Sequence, residues 1–293
     1  MIRFGPAGNS DSFYVQGYKA SWQAPAWLRA MGLNAYEYSF GRGVQLSEEM
    51  ADRIAGYARE NDIAVSAHAP YFINLANPDP EKREHSFRYI TDSARLVTHL
   101  GGDRVVVHVG AVMKLEREEA IQNCRDGLQE AYRRLEDMGL SQVHLCPETM
   151  GHASQIGNLS ETLALCLLDE RLIPCVDFAH LHALGQGALN RPEDFAAVLD
   201  EIESTLGPER ARTMHIHFST IEYGPSGEKR HRTFAEEKYG PRFEHLAPLL
   251  KERGYEPRVI CECHGTMAED AKTMMDIYQG KLPSSPARAM SSI

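Results

Sequence analysis

Eight β-rich runs alternate with amphipathic helical segments along the chain, and this alternation is the feature that most restricts the fold. The runs are Ile2–Ala7, Asn34–Phe40, Ala64–Tyr71, Arg104–Gly110, Val143–Met150, Ile173–His180, Thr213–Ser219 and Arg258–Gly265. Strands that alternate with helices form parallel sheets with right-handed crossovers. Eight such units predict an α/β fold, a single (β/α)8 TIM barrel over residues 1–280.

The main alternative fold is a doubly wound open sheet. Such a sheet usually has fewer strands, and its first turn often carries a glycine-rich phosphate loop. The first turn here reads Gly-Pro-Ala-Gly over Gly5–Gly8 and does not match that pattern. The barrel is therefore the preferred prediction, and the Pro- and Ser-containing segment 281–293 is predicted to be a disordered tail.

Composition excludes several classes of protein. No apolar run approaches the ~20 residues that cross a bilayer, so no membrane contact is expected. The amino terminus lacks the pattern of a secretory signal, and six cysteines in 293 residues do not form a disulfide framework. We therefore expect a cytoplasmic protein with reduced thiols. The net charge of −10 repels polyanions, so any nucleic-acid function needs a local basic site.

Polar side chains end six consecutive predicted strands. They are His68, His108, Glu148, Asp177 with His180, His215 with His217, and Glu262 with His264. In a barrel, the carboxyl ends of the strands meet at one mouth, where active sites lie. Burying acids and imidazoles at this mouth costs free energy unless cations pair with them. Imidazole nitrogen and carboxylate oxygen are zinc-type ligands, and manganese or iron also fits, so the pattern predicts a metal site.

Four local motifs resemble those of the endonuclease IV family (AP endonuclease family 2), within the xylose-isomerase-like TIM barrel superfamily. They are His68–Leu75 (H-x-x-Y-x-I-N-L), the histidine turn Val107–Gly110, Pro147–Thr149 with Gly151 and Gly157 (an E-T-x-x-G segment), and Asp177–His180 (D-x-x-H). The resemblance extends from Ile2 to about Gly280. It implies a metal-dependent hydrolase that cleaves DNA 5′ to abasic sites by a metal-activated hydroxide, acting as a monomer without a protein partner.

The resemblance also implies a ligand set for two or three zinc ions. The metal ligands would be His68, His108, Glu148, Asp177, His180, His215, His231 and Glu262, with Glu148 bridging two ions. Glu148 and Glu262 would be the catalytic carboxylates. One departure from the family concerns the third ion, because Lys229 stands where the family has an aspartate. Glu228 or Glu222 could substitute for it, and the two-metal centre is the firmer expectation.

The implied contacts with DNA lie on loops. Tyr71 and Phe72 fall where the family inserts side chains at the abasic gap, and Arg42 follows the second strand. A local basic patch could hold phosphates despite the acidic net charge, and it consists of Lys229, Arg230 and Arg232. Tyr71, Phe72, Arg42 and Arg230 are therefore the expected substrate-binding residues.

A sugar isomerase or epimerase of the same superfamily is the alternative. Such enzymes commonly hold one metal with four side chains, here Glu148, Asp177, His215 and Glu262. The acidic charge and the missing aspartate favour this interpretation. A single-metal site gives no role to the further histidines at ligand positions. These histidines favour a multinuclear hydrolytic site. A metal-binding protein without turnover is the third and least favoured hypothesis.

Overall fold

The computed structural model describes residues 1–281, and residues 282–293 of the predicted tail 281–293 lie outside the described residues. The strands are β1 (Arg3–Pro6), β2 (Ala35–Ser39), β3 (Ala64–His68), β4 (Arg104–Val107), β5 (Gly110–Ala111), β6 (His144–Pro147), β7 (Gln155–Ile156), β8 (Cys175–Asp177), β9 (His215–Phe218), β10 (Thr220–Gly224), β11 (Gly227–Arg232) and β12 (Arg258–Cys261). The α-helices are α1 (Asp11–Val15), α2 (Ala24–Ala30), α3 (Glu48–Glu60), α4 (Pro80–His99), α5 (Arg117–Asp137), α6 (Leu159–Cys166), α7 (Phe178–Leu184), α8 (Pro192–Leu206), α9 (Pro208–Arg212), α10 (Phe243–Glu252) and α11 (Met267–Tyr278).

Eight of the strands form a closed parallel ring. Two four-stranded sheets, in the orders β2-β3-β4-β6 and β1-β12-β9-β8, supply the hydrogen-bonded ladders. Single parallel bridges join the two sheets, from Ala7 to Glu37 on one side and from Glu148 to Cys175 on the other. The predicted (β/α)8 barrel is therefore confirmed.

Side chains inside the barrel alternate along each strand. One buried apolar cluster lies inside the barrel, and it consists of Val106, Cys146, Ile173 and Cys175. Side chains two positions apart on a strand share a face. His108, Glu148 and Asp177 each lie two positions after a member of this cluster, so their side chains point towards the mouth of the barrel.

Helix starts follow local capping chemistry. The Ser47 hydroxyl accepts the N–H of Met50 at 3.2 Å, so α3 begins directly after it. At α6 the capping residue is Asn158, whose side-chain oxygen accepts the N–H of Glu161 at 2.9 Å. Within residues 1–281, no helix combines the length and the apolar character needed to cross a membrane. All six cysteines are buried and free.

A β-hairpin that the sequence analysis does not predict covers part of the barrel mouth. It consists of β10 and β11, which pair in antiparallel fashion directly after β9. The Glu228 N–H donates to the Gly151 carbonyl at 2.8 Å, which ties the hairpin to the loop after β6. Gly227 has a φ of +111°, and a Cβ there would lie 2.0 Å from the Gly151 oxygen, so only glycine allows this approach. The hairpin thus brings Glu228 and His231 to the mouth.

The junction of β1 and β2 generates a stability prediction. A Cβ at Gly5 would lie 1.9 Å from the Ala35 carbonyl oxygen, so Gly5→Ala must push β1 away from β2. We expect the free energy of unfolding to fall by about 3 kcal/mol, as measured by urea denaturation. Gly56→Ala is the matched control, because nothing lies near its Cβ in α3 and helix propensity should raise stability by up to ~1 kcal/mol. Equal stability of both variants would contradict the close approach.

Candidate metal centre

Three groups of histidine and carboxylate side chains adjoin one another at the mouth of the barrel. They are His68, His108 and Glu148; Glu148, Asp177, His217 and Glu262; and Asp177, His180 and His231. Within each group, one donor atom from every residue lies within 4.8 Å of the others. Glu148 belongs to the first two groups and Asp177 to the last two. The three groups therefore form one continuous chain of donors.

The first group is built around the buried carboxylate of Glu148. Its Oε2 lies 3.2 Å from Nε2 of His68 and 2.9 Å from Nε2 of His108. Nδ1 of His68 lies 2.7 Å from the carbonyl oxygen of Ala69, which can only accept. Nδ1 therefore carries the proton of the neutral ring, and Nε2 directs its lone pair at the carboxylate. Such a pair needs a proton or a cation between its atoms, so the donor set fits a metal ion.

The third group has the same arrangement. His180 donates from Nδ1 to the Thr149 carbonyl at 2.8 Å. The Ser219 hydroxyl donates to the Thr220 carbonyl, so it accepts from Nδ1 of His231 at 2.7 Å. Both rings therefore turn Nε2 inward, and these two atoms lie 3.0 Å apart. Two converging lone pairs repel each other unless a proton or a metal cation lies between them, so this pair also fits a metal ion.

Glu228 completes this third group. Its Oε2 lies 2.7 Å from Nε2 of His180, and the two imidazoles of the group hold the pKa of Glu228 below its usual range against the effect of burial. Glu222 is instead ion-paired with Arg232. Lys229 is exposed, and its side chain lies along the neighbouring strand β10. Of the two candidate substitutes for the family's aspartate, the structure therefore brings Glu228 to the site.

The central group is formed by side chains from four different strand ends. Nδ1 of His217 lies 3.0 Å from Oε1 of Glu148 and 3.3 Å from Oε2 of Glu262. Oδ2 of Asp177 is buried without a hydrogen-bond partner among the described residues, and burial raises the pKa of this carboxyl. An unpartnered carboxylate oxygen aimed into a group of donors is what a cation ligand requires.

His215 differs from the sequence-based expectation. The ladder between β8 and β9 pairs His215 with Cys175 and His217 with Asp177. His215 therefore lies inside the barrel at the level of Cys175, two residues below the level of Asp177 at the mouth. Burial lowers the pKa of His215 to about 4, so its imidazole is neutral at pH 7. The central position that the sequence analysis assigned to His215 is occupied by His217, the last inward-facing residue of its strand.

Glu37 is a buried acid that the sequence analysis missed. Its Oε1 lies 2.9 Å from Nε2 of His217, and its Oε2 lies 3.0 Å from Nε2 of His215. The Ser66 hydroxyl donates to Oε2 at 2.8 Å. Burial alone would raise the pKa of Glu37, but the two imidazoles hold it well below its usual range. An acid in the middle of a strand is the signal that could have found it, because the sequence analysis considered only strand ends.

A cavity of about 620 Å³ opens above the three groups. Its lining includes His68, His108, His180, Glu228, His231 and Glu262. Of the four predicted substrate contacts, Tyr71 and Arg230 line this cavity. Phe72 and Arg42 are exposed on neighbouring loops. In the predicted basic patch, Arg232 is ion-paired with two glutamates, which leaves Arg230 and Lys229 as its exposed charges.

Sequence comparison now identifies the class to which this barrel belongs. Residues 25–279 match the model of the family described as xylose isomerase-like TIM barrel, so the chain belongs to that family. The protein is thus an enzyme of the xylose isomerase-like superfamily. The resemblance to endonuclease IV is confirmed by its relatives and structural neighbours.

Two relatives show how far the likeness extends. The chain is 35% identical over 279 residues to an uncharacterized protein of Methanocaldococcus jannaschii, covering 95% of this chain and 97% of that protein. It is 29% identical over 170 residues to the probable endonuclease 4 of Acholeplasma laidlawii, covering 56% of each. The chain therefore spans little more than half of the length of this endonuclease relative.

Solved structures of two activities share the fold. Endonuclease IV from Thermus thermophilus has a TM-score of 0.67 at 20% identity, covering 95% of this chain and 98% of that one. D-psicose 3-epimerase from Clostridium cellulolyticum has a TM-score of 0.65 at 13% identity, covering 95% and 99%. At such identities the likeness concerns the fold alone.

The two histidines of β9 generate a prediction about metal content. We expect His217→Ala to lose about one zinc equivalent per chain, because the central group loses a ligand. His215→Ala should retain the wild-type metal content, because this imidazole lies outside the group. Elemental analysis of both purified proteins after zinc loading measures the difference. Loss of zinc in the His215 variant, with full content in the His217 variant, would restore the original assignment.

Proposed function

We propose that the protein is a metal-dependent phosphodiesterase of the endonuclease IV type, which cleaves DNA 5′ to abasic sites. The observation that carries this proposal is the continuous chain of three donor groups, joined through Glu148 and Asp177. Adjoining cation sites suit a phosphodiester, whose attacking and leaving oxygens both need charge stabilisation. A single-metal site would use only the central group, and it would leave the outer imidazoles without a function.

The protein's own residues would hold zinc in all three groups, with manganese or iron as chemically similar alternatives. When bound, these ions supply Lewis-acid stabilisation of the phosphate and a water nucleophile at neutral pH. Glu148 bridges the first two groups and Glu262 closes the central one. The carbonyl and hydroxyl acceptors behind His68, His180 and His231 keep each Nε2 directed inward. The rings are thereby oriented before any substrate binds.

Two side chains at the cavity are suited to a DNA backbone with a missing base. Arg230 is exposed on β11 and lines the cavity, so its guanidinium can pair with a phosphate. Tyr71 is 56% exposed, and its ring centroid lies 5.6 Å from that of His68. An exposed aromatic ring beside the donors can occupy the space that an absent base leaves. Both features support a nucleic-acid substrate despite the acidic net charge.

The test is incision of a duplex that carries one synthetic abasic-site analogue. We expect the zinc-loaded protein to cut the strand 5′ to the lesion, and Glu148→Gln to lower the rate by about 10³-fold or more, because both adjoining groups lose a charged ligand. Denaturing gel electrophoresis of end-labelled duplex measures the rate and the position of the cut.

Glu60→Gln is the matched control for that experiment. Glu60 is exposed at the end of α3, so the same substitution there should leave incision unchanged. A zinc-loaded protein that binds the expected metal but leaves the abasic duplex intact would contradict the phosphodiesterase proposal.

The second candidate function is that of a sugar isomerase or epimerase. The central group of Glu148, Asp177, His217 and Glu262 favours it, since four such ligands can hold one catalytic metal. In that case Glu148 and Glu262 would move protons at a ketose carbon. The same protein should then be incubated with D-psicose and D-tagatose, with sugar exchange followed by chromatography. Turnover of a ketose without incision of DNA would select this function.

The third donor group generates a separate prediction. Glu228→Gln should lower both zinc content and incision, because it removes a charged ligand from the group of His180 and His231. Glu222→Gln should leave zinc content unchanged, because Glu222 pairs with Arg232 away from the donors. Elemental analysis and the incision assay measure both. Equal effects of the two substitutions would mean that Glu228 is not a ligand.

A further inference from the structure

We propose that Glu37 is a positioning residue that holds His217 in one tautomer and strengthens it as a ligand of the central group. Glu37 lies on β2, below the mouth of the barrel, and its side chain is fully buried. This inference rests on the metal centre of the proposed function, and it is independent of whether the substrate is DNA or a sugar.

The two ring nitrogens of His217 face different partners. Nε2 lies 2.9 Å from Oε1 of Glu37, on the side of the barrel interior. Nδ1 lies 3.0 Å from Oε1 of Glu148 and 3.3 Å from Oε2 of Glu262, on the side of the mouth. The carboxylates on both sides of the ring can only accept, so when a cation in the central group takes the lone pair of Nδ1, the proton of the neutral ring lies on Nε2 and is donated to Glu37. The lone pair of Nδ1 is then directed into the central group.

The charge of Glu37 separates His217 from the other oriented histidines of the site. His68 and His180 donate to backbone carbonyls, and His231 donates to the hydroxyl of Ser219. Each of these acceptors is neutral, whereas the partner of His217 is an ionised carboxylate. A hydrogen bond to a carboxylate draws the ring proton away and makes the opposite nitrogen more basic. His217 is therefore the imidazole whose donor strength this network raises most.

The second carboxylate oxygen of Glu37, Oε2, also has partners that fix the orientation of the side chain. Ser66 donates from Oγ to Oε2 at 2.8 Å, and Nε2 of the buried His215 lies 3.0 Å from the same atom. These contacts orient Oε1 towards His217. His215, which lies below the ligands, therefore has a role in this network, because it helps to fix the carboxylate that orients His217.

The experiment compares three substitutions in the full-length protein. Glu37→Met keeps the volume of the side chain and removes the acceptor, so the dissociation constant for zinc should rise about 10–100-fold. Glu37→Gln keeps a neutral oxygen acceptor and should give a smaller rise. Ser66→Ala removes a different hydrogen bond to the same carboxylate and should have the least effect. Competition with a chelator measures each constant, and circular dichroism verifies that each variant is folded.

The tautomer of His217 provides a readout that a purely structural role would not change. In the zinc-loaded wild type, long-range ¹H–¹⁵N correlation spectra should show a proton on Nε2 of His217 and none on Nδ1. Glu37→Gln should keep this pattern, and in zinc-loaded Glu37→Met the resonance of the Nε2 proton should move upfield, because this proton loses its hydrogen-bond acceptor. Wild-type zinc affinity in Glu37→Met, or a proton on Nδ1 in the wild type, would overturn the inference. Absence of zinc binding by the wild type would overturn the metal centre together with it, whereas zinc binding without DNA incision would leave it standing.

Discussion

The buried carboxylate of Glu148 is the interaction on which the rest of the site depends. Its two oxygens contact imidazoles from three strands, and its side chain is fully buried. An isolated charge in such a position would cost several kcal/mol, so it persists only with cationic partners. The carbonyl acceptors behind His68 and His180 turn Nε2 of each ring towards the acids, so protons on the rings or a shared metal ion supply the positive charge, and the continuous set of donors fits the metal ion.

The parallel barrel makes this convergence possible. Each strand brings its last inward-facing residue to the same mouth, and the buried residues Val106, Cys146 and Cys175 lie two positions earlier on their strands. The network of Glu37, His215 and Ser66 also lies in the barrel interior, with His215 paired in register with Cys175. The barrel thus holds a set of ligands and, behind one of them, a set of residues that orient it. Both sets come from segments far apart along the chain.

Much of the fold and part of the site could be predicted from the sequence. The alternation of strands and helices was sufficient for the barrel, because that pattern has few stable arrangements. His68, His108, Glu148, Asp177 and Glu262 could be selected because each stands at or near the end of an apolar strand. His215 and His217 share one strand face, so only the register against β8 could separate the ligand from the interior residue.

The sequence shows which chemical groups are available and that most of them stand at strand ends, because the periodicity of each strand and the succession of strands along the chain can be read from local patterns. Tertiary structure alone decided which groups meet. It selected His217 over His215 through strand register, and it brought Glu228 to His180 through a hairpin anchored on Gly151. It also placed Glu37 behind His217 across 180 residues of chain. Distances across a closed barrel depend on the stagger of its strands, which local sequence patterns do not encode.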